Sequence, residues 1–125
     1  MEHYIKEATD ETPRISLDAM SGVLELDGKS LPENVSTFYD PILEWLEMYE
    51  SKPAAKTVFE MKLKYFNTAS SKILLDILMK LEELKTEGNE VVVNWHYKDS
   101  DEDMQEAGEE YTEIVEDLPF EFKSY

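Results

Sequence analysis

Cysteine is absent from this 125-residue chain, which excludes disulfides and thiolate metal sites and fits a cytoplasmic location. With only four glycines and five prolines, there is no Pro/Gly-rich linker or low-complexity segment at which to divide the chain. No apolar run approaches the length that spans a bilayer. The opening MEHYIKEATDE has neither the basic start nor the apolar stretch of a signal peptide. Positive charge is scarce: 12 Lys and Arg face 29 Asp and Glu, a formal net charge of −17. Such a chain repels nucleic-acid phosphates and anionic membranes, so its expected partners are proteins. A Walker loop, a Gly-rich dinucleotide fingerprint, a metalloprotease motif and a Gly-x-Ser-x-Gly elbow are all missing. Nothing therefore argues for an enzyme, and no cofactor is expected.

What is present is enough to build a core. Hydrophobic residues make up 42% of the chain, with 7 Tyr, 5 Phe and 2 Trp among them, which argues against disorder. Residues 1–11 read as a flexible polar lead-in and 12–125 as a single domain. Arg14 to Asp18 and Val23 to Leu26 predict two strands joined through Ser21-Gly22, with a second turn at Asp27-Gly28. A helix follows, capped by Asn34 or Ser36 and burying Phe38, Ile42, Trp45, Leu46 and Tyr49; Pro41 argues for a start nearer Tyr39. Thr57 to Leu63 alternates as a strand, and Ile73, Leu74, Ile77, Leu78, Leu81 and Leu84 trace one face of a long helix stopped at Gly88. Val91 to Tyr97 predicts a strand whose continuous valines suggest burial on both faces. Asp103 to Val115 predicts a third helix, and Phe120 to Phe122 a short edge strand. This order implies an α/β (α+β) fold, a mixed sheet of about four to five strands packed with three helices.

The charge is unevenly spread. Residues 99–121 hold eleven acids and no base, whereas residues 1–98 carry a net charge of −7. Asp99, Asp101, Asp103 and Glu110 fall at positions one, three, five and twelve of a calcium-loop pattern, but Met104 stands where that loop needs glycine. A helix start, whose dipole favours acids in its first turn, fits the segment better, so no metal site is expected there. His96, in Trp95-His96-Tyr97, lacks any nucleophile signature to serve and reads as structural; His3 lies in the lead-in.

The segment Tyr65 to Ser71 (YFNTASS) joins the central strand to the long helix and places three hydroxyls where that helix begins. The first-turn N–H groups of a helix have no partner within it. Asn67 or Thr68 can therefore cap the helix, or the site can bind an anion or carry a phosphate. A phosphate would add roughly −1.5 to −2 charge where the helix dipole tolerates it, turning a neutral patch into a strong anion without breaking the fold.

Several segments, in order, carry a family resemblance: Leu31-Pro32-Glu33-Asn34, Trp45, Tyr65-Phe66-Asn67-Thr68-Ala69-Ser70, Leu81-Glu82-Glu83, Trp95-His96-Tyr97 and Leu118-Pro119-Phe120. From about residue 12 to 122 the chain resembles the SiaC family of bacterial regulatory phosphoproteins. That resemblance implies a STAS-like fold related to the anti-sigma-factor antagonists. It also implies a partner-switching protein without catalysis of its own. The threonine of the family's Asn-Thr-x-Ser motif, here Thr68, would be phosphorylated by a dedicated kinase and dephosphorylated by a PP2C-type phosphatase. The unphosphorylated form would bind an effector such as a diguanylate cyclase, linking the protein to cyclic di-GMP signalling. Asn67, Thr68, Ala69, Ser70 and Ser71 would frame the partner-binding site. Ala69 stands where the family commonly has serine, and Ser70 or Ser71 becomes a second candidate acceptor only if the helix starts later. The alternative reading is an acidic decoy that occupies basic protein surfaces through residues 99–121. A third is an enzyme or metal-binding domain using His96 or the acids from Asp99 to Glu110.

Overall fold

The computed structural model describes residues 2–125. Six strands, β1 (Tyr4–Lys6), β2 (Arg14–Asp18), β3 (Val23–Ser30), β4 (Lys56–Phe66), β5 (Glu90–Tyr97) and β6 (Phe120–Ser124), form one sheet in sequential order. The helices are α1 (Val35–Glu50), α2 (Thr68–Thr86) and α3 (Glu102–Ile114). β1–β2–β3 is an antiparallel meander, and β3 through β6 run parallel, each successive pair connected by one helix. The α/β class and three helices agree with the sequence, and the sheet has six strands rather than four or five.

The additional strand is β1, inside the segment expected to be a polar lead-in. Its residues alternate too briefly to signal a strand, and it is held by backbone pairing to β2 at Tyr4–Leu17, Ile5–Ser16 and Lys6–Ile15. Two further expectations are corrected. β3 does not turn at Asp27-Gly28 but runs on to Ser30, with a register shift between Gly28 and Lys29 where it pairs with β4. A β-bulge absorbs the irregularity that a local reading takes for a turn. α1 starts at Val35, with the Asn34 side chain accepting from the Thr37 N–H at 3.1 Å, and continues through Pro41. Pro41 removes one helical donor, but Phe38, Tyr39 and Ile42, on either side of it, are all buried and hold the helix together.

Burial alternates along the strands and selects one face of the sheet. Ile15 and Leu17, Leu24 and Leu26, Phe59, Met61 and Leu63, and Val91, Val93 and Trp95 lie under the helices. The opposite face carries Arg14, Glu25, Glu60, Lys62 and His96, all partly exposed. On that open face of β5 Asn94 is buried but Val92 and His96 are only half-buried, so the burial on both faces that its valines suggested is partial.

α3 seats on the sheet through one close approach. The Trp95 indole N–H donates to the Met104 carbonyl at 3.0 Å. Gly108, in the middle of α3, lies so near this ring that a Cβ there would sit 2.7 Å from both Trp95 Nε1 and Phe122 Cε1. A mid-helix glycine costs about 1 kcal/mol relative to alanine, and here the contact with Trp95 is the reason for it. Gly108→Ala is expected to lower stability by about 1–3 kcal/mol through overpacking, despite its better helix propensity. Urea denaturation checks this; an unchanged or raised midpoint would contradict the packing argument.

Candidate functional site

β4 ends at Phe66 and α2 begins at Thr68, leaving Asn67 as the single joining residue. Asn67 is the cap: its side-chain oxygen accepts from the Ser70 N–H at 2.9 Å, and its carbonyl accepts from the Ser71 N–H at 3.0 Å. Thr68 is thereby released from capping. It occupies the first helical position, its residue is exposed, and its hydroxyl has no hydrogen-bond partner among the described residues. Ala69 beside it is also exposed.

The other two hydroxyls have different work. Ser70 is fully buried, and its hydroxyl donates to the Ser30 carbonyl at 3.1 Å while accepting from the Ser30 hydroxyl at 2.8 Å. Ser30 Oγ lies 2.6 Å from the Tyr39 hydroxyl, and the Ser30 carbonyl also accepts from the Asn67 N–H at 3.2 Å. Burial pushes the Tyr39 phenol up to about 12, so it remains protonated and can donate to Ser30. The chain from Tyr39 through Ser30 to Ser70 thus ties α1, β3 and α2 together beneath Thr68. Ser71, half-buried, donates to the Thr68 carbonyl at 2.6 Å, and its own carbonyl accepts from the Tyr111 hydroxyl at 2.8 Å. Of the five residues singled out, Thr68 and Ala69 form an outer surface, and Asn67, Ser70 and Ser71 hold it in place. Ser30, Tyr39 and Tyr111 were not foreseen as members of this site.

A trough made of two adjoining recesses flanks this junction, one between α2 and α3 and one between the end of β4 and α3. One recess of about 250 Å³ is lined by Phe66, Lys72, Leu75, Glu110, Tyr111 and Ile114. A second, of about 380 Å³, shares Phe66 and Ala107 with it and extends to Tyr65, Asp101 and Asp103. Tyr65 and Ile114 are 53% and 57% exposed, too much for side chains that serve only the core. Burial first, and then the Glu110 carboxylate, push the Tyr111 phenol up to about 12, so this floor residue stays neutral.

The other candidate side chains make contacts elsewhere in the fold. His96 Nε2 lies 2.7 Å from Glu60 Oε1 on the open sheet face, and the Asn94 amide donates to the other Glu60 oxygen at 3.2 Å. Burial opposes ionisation of Glu60, but these hydrogen bonds outweigh it and hold its carboxyl below the ordinary range. His3 Nε2 lies 2.8 Å from the Ser16 hydroxyl. Asp101 caps α3, accepting from the Met104 N–H at 3.0 Å, and Glu102 and Asp103 lie in its first turn. Helix continues from there to Ile114, so Asp103 and Glu110 are about 10 Å apart along its axis rather than wrapped around an ion. Three other acids, Glu50, Glu83 and Glu87, converge at the C-terminal ends of α1 and α2. The sequence reading missed this group because its members come from two helices.

A family model described as SiaC family regulatory phosphoprotein matches residues 6–125. The chain belongs to this family. A protein of Pseudomonas aeruginosa (strain UCBPP-PA14), described only as uncharacterized, is 34% identical over 117 residues, covering 94% of this chain and 92% of that one. A chain from the crystal structure of the diguanylate cyclase SiaD with its activator SiaC, also from P. aeruginosa, superposes with a TM-score of 0.91. It is 31% identical, and the match covers 98% of this chain and 99% of that one. Apo-SiaC from the same species gives a TM-score of 0.89 at 31% identity, covering 98% and 99%. No helix among the described residues is long and apolar enough to cross a membrane.

Two predictions come from this geometry. Ser70→Ala should cost about 1–3 kcal/mol, because it leaves the buried Ser30 hydroxyl without its acceptor. Thr68→Ala should stay within about 0.5 kcal/mol of the parent protein. Paired urea melts of the two variants check the contrast, and equal losses would contradict the division of labour between the hydroxyls. At the acidic cluster, burial and the neighbouring Glu83 carboxylate raise the Glu50 carboxyl above its ordinary value, with Lys80 opposing them. The ionised form is therefore penalised in the fold above that raised value, and the penalty fades as pH falls through it. Glu50→Gln should raise the melting temperature at neutral pH, and the gain should vanish near pH 4, as thermal melts across that range would show.

Proposed function

We propose that this chain is a non-catalytic, cytoplasmic partner-switching phosphoprotein, controlled by reversible phosphorylation of Thr68. In the unphosphorylated state it binds an effector, which by analogy with the SiaD–SiaC complex is a diguanylate cyclase. A protein kinase adds the phosphate and a PP2C-type phosphatase removes it. The observation that carries this reading is the division of labour at the β4–α2 junction. Asn67 supplies the cap and Ser70 the buried anchor, so the exposed Thr68 hydroxyl has no structural duty and is open to a kinase. Membership in a family of regulatory phosphoproteins supports the same assignment.

The phosphate would sit at the positive end of α2, which has no acid in its first turn. The fold tolerates it there, and the change falls on the surface that a partner reads. Thr68, the proposed acceptor, thus sits where charge can change without unfolding the domain. The acidic-decoy reading has one point in its favour: none of the acids in residues 99–121 forms an ion pair among the described residues. That reading predicts binding that collapses with added salt and is indifferent to Thr68.

Phosphopeptide mapping of the protein purified from its own host, with and without phosphatase treatment, should place a phosphate on Thr68. Absence of that phosphate across growth conditions would return Thr68 to an ordinary helix-start residue. Thr68→Ala should abolish the modification and keep effector binding. Thr68→Glu should weaken binding, measured by calorimetry against the host's diguanylate cyclase; unchanged affinity in Thr68→Glu would contradict exclusion by charge.

A further inference from the structure

The trough beside Thr68 has two walls of opposite charge. Along α3, Asp103 and Glu110 line it and are exposed, and neither is in an ion pair among the described residues. Across from them, Lys64 at the end of β4 and Lys72 on α2 are exposed and likewise unpaired. Between the walls the floor is apolar and aromatic, with Phe66, Leu75 and Tyr111. Free charges of both signs flanking an apolar floor describe a matching occupant, and the floor accepts side chains of Leu or Ile size.

We propose that the trough receives a segment of the effector with an apolar ridge, cations along the α3 side and a carboxylate against Lys72, and that phosphate on Thr68 evicts it by taking Lys72. This rests on the reading of Thr68 as the phosphoacceptor and adds the chemistry of the partner and the means of release. Thr68 and Lys72 are four residues apart on one helix, so their side chains are neighbours on its surface. A phosphate at Thr68 can therefore pair with the Lys72 ammonium that the effector's carboxylate would otherwise use, and it repels that carboxylate directly. The opposed walls also give the switch its sign. An occupant with cations alone would gain affinity from an added phosphate, whereas one that places a carboxylate at Lys72 loses it.

The test uses unphosphorylated full-length protein, so it does not depend on whether a kinase acts on Thr68. Binding of the host's diguanylate cyclase is measured for the parent chain, Lys72→Glu, Glu110→Lys and the remote control Lys52→Glu. Lys72→Glu and Glu110→Lys should each weaken binding about tenfold, while the control stays within about twofold. Parent-like affinity in both trough variants would overturn the proposal. If the cyclase does not bind the parent chain, the effector reading fails, and the trough is decided separately. The ¹⁵N-labelled protein is then titrated with a synthetic fifteen-residue amphipathic peptide bearing a Leu ridge, Lys on one flank and Glu on the other. Amide shifts centred on Phe66, Leu75, Ala107 and Ile114 that Lys72→Glu suppresses would support the proposal. No shifts at millimolar peptide would overturn it. A concentration-dependent dimer broken by Ile114→Asp would assign the trough to a second copy of the chain and also overturn it.

Discussion

The buried hydroxyl contact between Ser70 and Ser30 fixes where α2 begins relative to the sheet, and the site depends on that position. Ser30 ends β3, and its carbonyl receives both the Asn67 N–H and the Ser70 hydroxyl, so the last residue of one strand holds the first turn of the helix leaving its neighbour. With the helix start pinned from beneath, Asn67 can cap from the side and Thr68 can face solvent. Buried polar pairs of this kind contribute modestly when satisfied and cost much when broken, which makes them good positioning devices. Ser71 and Tyr111 continue the same arrangement outward by tying α3 to the start of α2.

A domain with a net charge of −17 needs somewhere to put it, and the two sides of this fold solve the problem differently. On the open sheet face the charges are internally matched: Glu25 lies near both Arg14 and Lys62, and Glu60 is bonded by His96 and Asn94. On the α3 side they are left unmatched, with acids on most exposed positions of the helix. Self-matched charge suits a surface that meets only water, because each added ion would have to compete with a partner already present. Unmatched charge stays available for another molecule, and Glu110 among these acids lines the same recess as Ser71 and Lys72, close to Thr68, the proposed switch.

Local pattern was enough to place most elements. The alternation of β4, the helical spacing of α2 and the acid-rich opening of α3 each announced the right structure within a residue or three. The sequence also marked the β4–α2 junction as the place where hydroxyls meet a helix N-terminus. What it did not disclose depended on distant partners. Ser30 lies 40 residues from Ser70, and nothing at either position signals the other. The Asp27-Gly28 pair has the composition of a turn, yet pairing with β4 carries the strand through it. Pro41 argued for a late helix start because the burial that sustains the earlier turn is a tertiary effect. The trough was invisible for the same reason: Phe66, Leu75 and Tyr111 share a floor only after α3 docks on Trp95 through Gly108.

The most direct measurement is the affinity of protein carrying genetically encoded phosphothreonine at position 68 for the host's diguanylate cyclase, compared with the unmodified chain. Genetic encoding gives complete, site-specific phosphate without a kinase and avoids the imperfect mimicry of glutamate. The account predicts at least about tenfold weaker binding with the fold unchanged. Equal affinity for the two forms would contradict it, because a phosphate at the start of α2 would then leave the partner's surface undisturbed.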